Sequence, residues 1–203
     1  MMLPVPVMSL ISVIGGYLLG SIPVAVLVAR AHGFDPRDVG DRNPGFWNVR
    51  ERLGAGGAAP VFAGDMIKGV LAGLLGLAAG GWHTTGPWVV AAPSVLPAYA
   101  AVAAAMAGHA WPVFARFRGG RSILTFAGGM AVICPPAFAL ALVLLAAVAM
   151  LTRSFAIGAR AGVFALPVLQ FAFAPVGHVA ATGALMCLIG LRFGQAALAA
   201  RRS

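Results

Sequence analysis

Long stretches without a charged side chain dominate this sequence. No Asp, Glu, Lys or Arg occurs before Arg30, between Lys68 and Arg116, or between Arg121 and Arg153. A stretch of about 20 apolar residues can cross the hydrocarbon core of a bilayer as a helix. Charged residues make up 9% of the chain, against about 25% in soluble domains, so they could not cover a globular surface in water. The sequence therefore predicts an all-α, polytopic integral membrane bundle.

The apolar stretches divide into seven predicted transmembrane helices, at about 5–29, 59–80, 87–108, 122–134, 136–152, 155–174 and 176–192. Residues 122–152 are long for one crossing and short for two. Because Pro135 and Pro136 would break a helix, we expect two short helices there, of which the first need not cross the bilayer fully.

Basic residues are concentrated in short connections between these stretches. The formal net charge is +9, and the loops at about 30–58, 109–121 and 152–160, with the tail, carry most of it. Under the positive-inside rule these loops are cytoplasmic, which predicts an outside N-terminus and a cytoplasmic C-terminus. The same placement argues against nucleic acid as a partner. We expect a single membrane domain over residues 1–203.

The first basic connection mixes charges of both signs. Segment 30–52 carries five Arg against three Asp and one Glu. It is either a solvated loop with local ion pairs or a structured, membrane-apposed loop whose Asn and Arg side chains face a polar head group. Further along, Asp65 and Lys68 lie three residues apart, so they share a helix face and can pair.

The connection from His109 to Ser122 combines a histidine, three Arg and the pair Gly119-Gly120. Backbone N–H groups in a glycine turn can hold an anion, and the helix that follows would add its N-terminus. This segment therefore predicts a phosphate site. The sequence has no paired-carboxylate site and no serine elbow, so an enzyme of this kind would suit a substrate that arrives already activated.

Four motifs follow one another between residues 20 and 120. They are Gly20-Ser21-Ile22-Pro23, the segment from Asp35 to Val49, Gly64-Asp65-x-x-Lys68-Gly69, and the segment from Gly108 to Gly120. Together they resemble the bacterial acyl-phosphate-dependent glycerol-3-phosphate acyltransferases, the PlsY family. The resemblance implies a multi-pass enzyme of phospholipid synthesis in the bacterial inner (plasma) membrane, with a cytoplasmic active face. It implies transfer of an acyl chain from acyl phosphate to glycerol 3-phosphate, giving lysophosphatidic acid, with neither metal nor cofactor.

The same resemblance implies the site residues. The donor phosphate would bind at the Gly119-Gly120-Arg121 loop, and the base would be the substrate phosphate or Asp41. The implied catalytic residues are Asp41, Asn43 and His109. The implied substrate-binding residues are Asn48, Arg50, Arg52, Lys68, Gly119, Gly120, Arg121, Ser122 and Arg153.

This chain departs from the family pattern at two of the motifs. Gly40-Asp41-Arg42-Asn43 stands in place of Gly-Ser-Gly-Asn, and Gly119-Gly120-Arg121-Ser122 stands in place of Gly-Gly-Lys-Gly. Three functions remain open at this point. They are an acyltransferase acting on glycerol 3-phosphate or another hydroxyl acceptor, a catalytically impaired relative that binds lipid or a partner protein, and a transporter of a small anion.

Overall fold

The computed structural model describes residues 5–81, 83–84, 90–91 and 95–201, and these are largely helical. The α-helices are α1 (Val5–Gly20), α2 (Val24–Ala31), α3 (Phe46–Ala79), α4 (Leu96–Ala110), α5 (Ile123–Ile133), α6 (Pro135–Thr152), α7 (Phe155–Gln170) and α8 (Val176–Ala200). A short antiparallel ladder, which the sequence did not predict, pairs β1 (His83–Thr84) with β2 (Val90–Ala91).

Five helical stretches of the described residues are long and apolar enough to cross a membrane. They are Pro6–Ala31, Phe46–Ala79, Leu96–Ala115, Pro135–Thr152 and Val176–Ala199. Helices α5 and α7 are apolar but shorter. The 11 residues of α5 rise about 16 Å at 1.5 Å per residue, which is roughly half of a bilayer core. Large side chains such as Val143 and Leu151 of α6 face outward, as a lipid-facing helix requires.

The first predicted crossing, at 5–29, is two helices rather than one. The chain leaves helical geometry between Gly20 and Val24, because Pro23 cannot donate to the helix ladder. The carbonyl oxygens of Gly20 and Ile22 accept hydrogen bonds from Lys68 Nζ instead, at 3.2 and 3.1 Å. The helix break in the Gly20–Pro23 motif thus binds Lys68 of the Gly64–Gly69 motif.

The crossing predicted at 87–108 begins later than expected. Val90 and Ala91 belong to β2, and α4 begins at Leu96 with Pro97 in its first turn. Proline fits there because the first N–H groups of a helix have no partner within the helix. The rest of the predicted stretch before Val95 lies outside the described residues.

The remaining crossings each match a helix, with changed ends. α3 extends back to Phe46 across a bend at Gly54, whose φ of 70° suits glycine. The expected split of 122–152 is confirmed, since α5 ends at Ile133 and α6 begins at Pro135. The connections are shorter than predicted because helices occupy part of each: they span 32–45, 111–122 and 153–154 rather than 30–58, 109–121 and 152–160.

Glycines lie where helices touch. Gly16 of α1 lies against Ala101 of α4, and Gly128 of α5 lies against Met66 of α3. A side chain at either glycine would strike the neighbouring backbone. Close approach through small residues is the usual way in which helices pack in lipid, so the glycine-rich composition serves packing.

A buried polar cluster fastens α7 and α8 to α4. Gln170 Nε2 donates to Tyr99 Oη at 2.8 Å, and Thr182 Oγ1 donates to Gln170 Oε1 at 2.7 Å. The two hydroxyl oxygens of Tyr99 and Thr182 lie 3.1 Å apart. Because buried polar groups are costly when left unpaired, this closed set of bonds fixes α8, which carries Arg192 further along.

Candidate active site

The basic connections meet at one end of the bundle, which we call the basic face. Arg37 Nη1, in connection 32–45, donates to the carbonyl oxygen of Ala115 in connection 111–122 at 3.3 Å. Next to the third connection, the ring of Phe155 lies 5.6 Å from that of Trp47. Segments far apart in the sequence are therefore neighbours here.

Connection 32–45 is structured by an ion pair and by a buried amide. The Asp35 carboxylate accepts from Arg37 Nε at 2.8 Å and from Arg37 Nη2 at 2.6 Å. Hydrogen bonds from Arg37 hold the pKa of the Asp35 carboxyl well below its ordinary value, and the same pairing raises the pKa of Arg37. The local ion pairs of the first hypothesis are therefore present, while the apposition of this loop to the membrane stays a prediction.

Asn48 organises the same connection from inside. It is 2% exposed, and its Nδ2 donates to the carbonyl oxygens of Pro36, Val39 and Asn43 at 2.7, 3.0 and 3.1 Å. An amide nitrogen has two N–H donors, so none is left for a ligand. Asn48, implied as a substrate-binding residue, thus shapes the loop that carries Asp41 and Asn43.

A buried charged cluster lies beneath the basic face. Lys68 Nζ lies 2.9 Å from Asp65 Oδ1, and His109 Nδ1 lies 3.5 Å from the same oxygen. All three residues are nearly inaccessible, with exposed fractions between 2% and 8%. The pairing of Asp65 with Lys68 expected from their spacing is confirmed. No carboxylate lies near His109 in the sequence, and the fold brings Asp65 to it.

Gly119 and Gly120 do not form the expected nest of N–H groups. Gly119 N donates to Ala110 O at 3.2 Å, and Gly120 N donates to His109 O at 3.0 Å. These N–H groups therefore extend the end of α4 and are not available to an anion. The glycines are needed for space instead, because a side chain on Gly119 would strike the His109 carbonyl and one on Gly120 would strike the His109 ring at Nε2.

Arg192 of α8 holds this glycine pair from the other side. Its Nη2 donates to Gly119 O at 2.8 Å and its Nε to Gly120 O at 3.1 Å, while the guanidinium lies 5.4 Å from the centre of the Trp111 ring. The sequence alone does not identify Arg192 as a site residue. Arg192 is a single charge at the end of an otherwise uncharged stretch. Such a charge could have indicated a site residue, but it is equally typical of the cytoplasmic end of a membrane span.

Arg121 and Ser122 follow the glycine pair and lead into α5. Arg121 Nη1 lies 2.9 Å from Asp41 Oδ2, so the two motif segments contact each other directly. Ser122 Oγ donates to the carbonyl oxygen of Met106 at 2.7 Å and does not cap α5. The Ser122 hydroxyl is therefore bound within the protein, although the residue was expected to bind substrate.

Two cavities adjoin these residues. The small cavity, of about 10 Å³, is bordered by Asp65, Lys68 and His109 together with Gly119 and Gly120. The arginine cavity, of about 230 Å³, opens next to it. It is lined by Arg37, Arg42, Pro44, Phe117, Arg118, Gly119 and Arg192. Four guanidinium groups and no carboxylate among these lining residues make it suited to an anion such as phosphate.

None of the four expected substrate-binding arginines lines either of these cavities: Arg121 is paired with Asp41, and the other three lie elsewhere. The guanidinium of Arg50 lies over the Trp47 ring, and that of Arg52 lies over the Phe34 ring. Arg153 is exposed at the end of α6 with a φ of 51°. The structure therefore does not bring these three side chains to the cavities, whereas Asn43 directly precedes Pro44, which borders both.

Comparison with known proteins identifies one family along most of the chain. The family model described as glycerol-3-phosphate acyltransferase matches residues 10–198. A glycerol-3-phosphate acyltransferase of Rubrobacter xylanophilus is 47% identical over 121 residues, which are 60% of this chain and 55% of that protein. One of Desulforudis audaxviator is 38% identical over 172 residues, or 84% of this chain and 80% of that protein. The chain thus spans little more than half of the first of these relatives.

The fold is also similar to a solved structure. The crystal structure of PlsY (YgiH), an integral membrane glycerol 3-phosphate acyltransferase in its glycerol 3-phosphate form, superimposes with a TM-score of 0.77 at 26% identity. The similarity covers 92% of this chain and 88% of that one. With the matched family model and the apolar helices, this shows an integral membrane protein. The chain belongs to the glycerol-3-phosphate acyltransferase family.

Proposed function

We propose that this chain is a membrane acyltransferase that transfers an acyl chain from acyl phosphate to glycerol 3-phosphate, giving lysophosphatidic acid for phospholipid synthesis. Family membership supports the reaction class. Two related PlsY structures are described as a glycerol 3-phosphate form and a lysophosphatidic acid form, which supports the acceptor and the product. The observation that carries the proposal is the arginine cavity, which four guanidinium groups line.

Both substrates carry a phosphate, and the basic face offers several groups for phosphates. Arg37, Arg42, Arg118 and Arg192 line one cavity, and guanidinium groups bind phosphate through paired N–H donors. The N-terminus of α5 has no side-chain cap, and free N–H groups at a helix N-terminus favour an anion. We assign the donor phosphate to Arg121 and the start of α5, bordered by Gly119 and Gly120.

In the proposed reaction the acceptor hydroxyl oxygen attacks the acyl carbonyl carbon. A new ester C–O bond forms, the C–O bond to the donor phosphate breaks, and inorganic phosphate leaves. The hydroxyl proton passes to a phosphate oxygen of the acceptor. This chemistry needs positioning more than a strong base, since the acyl group arrives activated.

The remaining site residues are assigned by their surroundings. We assign the acceptor to the arginine cavity, and Asn43 directly precedes Pro44, which lines it. His109 is held by Asp65, and its Nε2 faces Gly120, so it orients the donor loop; Lys68 keeps the neighbouring broken helix in place. Arg50, Arg52 and Arg153 are exposed, and we assign them to a basic rim that attracts anionic substrates.

The basic face is proposed to lie on the cytoplasmic side of a bacterial inner membrane. The three basic connections and the end of α8 support this side, since cytoplasmic segments carry an excess of Lys and Arg. Seven crossings follow if α1 and α2 together form the first and if α5 and α7 cross with tilting or local thinning of the bilayer. The N-terminus is then outside, the C-terminus inside, and residues 1–203 form one domain.

An assay on the purified full chain in detergent tests the proposal. With acyl phosphate and glycerol 3-phosphate, we expect inorganic phosphate and lysophosphatidic acid to form in equal amounts. Omitting glycerol 3-phosphate should remove both products beyond the background hydrolysis of the donor. Tight binding of both substrates without any product would instead support a catalytically impaired relative.

A further inference from the structure

Two side chains that depart from the family pattern meet across the basic face. Asp41 replaces a serine in one motif, and Arg121 replaces a lysine in another. Their contact is an ion pair, with 2.9 Å between Arg121 Nη1 and Asp41 Oδ2. The positive charge of Arg121 thus balances the negative charge of Asp41.

Arg121 keeps donors that Asp41 does not use. Its guanidinium carbon lies 4.5 Å from the centre of the Phe193 ring. Its Nε is buried and has no hydrogen-bond partner among the described residues. A guanidinium carries five N–H donors, so the contact with Asp41 leaves donors for a phosphate oxygen, beside Asp41 or in its place.

Asp41 is the more exposed partner of the pair. Its side chain is 46% exposed, against 23% for that of Arg121, so water can take over its solvation. One hydrogen bond, from Asn43 N to Asp41 Oδ1 at 3.1 Å, keeps the carboxylate aimed along the loop. An exposed ion pair is weak, whereas a phosphate brings more charge and more acceptor oxygens.

We propose that Asp41 is an internal competitor of the donor phosphate. It holds Arg121 while the site is empty and releases it when a phosphate binds, so Asp41 is a positioning residue that lowers the affinity of the site for phosphate. This inference rests on the proposed function in one respect, namely the assignment of Arg121 to the donor phosphate. An uncharged serine at position 41 would not lower the affinity of the site for phosphate in this way.

Binding of inorganic phosphate to the full-length protein is the first test, measured by calorimetric titration at fixed pH and low salt. Asp41→Asn should lower the Kd by about two- to fivefold, the fold-change that corresponds to an exposed ion pair. Asp41→Ser should do the same. Asp38→Asn is the matched control, because Asp38 is an exposed carboxylate of the same connection outside the Asp41–Arg121 pair. Equal Kd values for Asp41→Asn and Asp38→Asn would overturn the proposal.

A double-mutant cycle tests whether the effect passes through Arg121. In an Arg121→Gln background, Asp41→Asn should change the phosphate Kd by less than it does in the native background, because its partner is gone. A full effect in that background would show that Asp41 acts through general charge, and would contradict the proposal.

The KM and kcat for acyl phosphate separate this role from proton transfer. Asp41→Asn should lower KM in parallel with the phosphate Kd. A large loss of kcat with unchanged KM would instead make Asp41 the base and overturn the inference. If the native protein binds phosphate with the expected Asp41 effect but never turns over, the proposed function fails and the inference about Asp41 stands.

Discussion

Arg192 Nη2 donates a hydrogen bond of 2.8 Å to the carbonyl oxygen of Gly119, so the last helix fixes the loop that precedes α5. Arg192→Leu removes this bond and the one to Gly120. We expect KM for acyl phosphate to rise about tenfold, the size of one charge-assisted hydrogen bond, since the loop loses its fastening. Arg201→Leu, at the exposed end of the same helix, is the control. The same KM for both variants would contradict the role given to Arg192.

The Asp65–Lys68 pair should be required for stability. Lys68→Met leaves the Asp65 carboxylate buried with a single weak contact, and breaking a buried pair from one side costs about 3–5 kcal/mol. We expect a lower Tm in detergent for Lys68→Met, and partial recovery in the double variant Asp65→Asn/Lys68→Met, in which no uncompensated charge remains. A Tm for Lys68→Met equal to that of the native protein would show that the pair does not hold α3 to the broken first crossing.

Asp35 should make stability depend on acid pH. Its folded-state pKa lies below the ordinary value of 3.8, so its contribution is present above that value and is lost as pH falls through the folded pKa. Asp35→Asn should therefore lower the Tm at pH 7, and the difference from the native protein should narrow below about pH 4. The matched variant Asp38→Asn should show a smaller difference throughout. A pH-independent difference for Asp35→Asn would mean that packing, not the ionised carboxylate, is responsible.

Ser122 should tolerate glycine better than alanine. Its φ of 62° is a left-handed conformation that costs a non-glycine residue roughly 1 kcal/mol or more. Ser122→Gly removes both this cost and the hydrogen bond to Met106, whereas Ser122→Ala loses the bond and keeps the cost. Unfolding in detergent should rank glycine above alanine by about 1 kcal/mol. The reverse order would show that the backbone at position 122 is not under strain.

The helices could be predicted from the sequence because hydropathy is a local property. The stretch at 136–152 was placed within one residue of α6, and the division at Pro135 followed from the chemistry of proline. The late start of α4 was missed, because the residues before Val95 are apolar, and hydropathy predicts a membrane span there whether or not the segment is helical. The break before Val24 was missed too, since Pro23 inside a 26-residue apolar stretch does not show whether it bends or ends a helix.

The segments that form the site could be predicted from the sequence, but the contacts between them could not. The motifs around Asp41 and Gly119 were identified, yet their meeting depends on packing between helices that the sequence does not report. Glycine pairs also have two physical uses, as anion nests and as points of close approach. The hydrogen bonds from Gly119 and Gly120 to the end of α4 decide for the second use.

The most direct test of the central claim compares Arg121→Ala with Arg201→Ala in the coupled assay for inorganic phosphate and lysophosphatidic acid. If the basic face is the site of acyl transfer and Arg121 binds the donor phosphate, Arg121→Ala should lower kcat/KM for acyl phosphate by about 100-fold, as expected for the loss of one stabilising group at a reacting centre. Arg201→Ala should stay within about twofold of the native protein, as is usual for an exposed substitution. Native activity in Arg121→Ala would contradict the account.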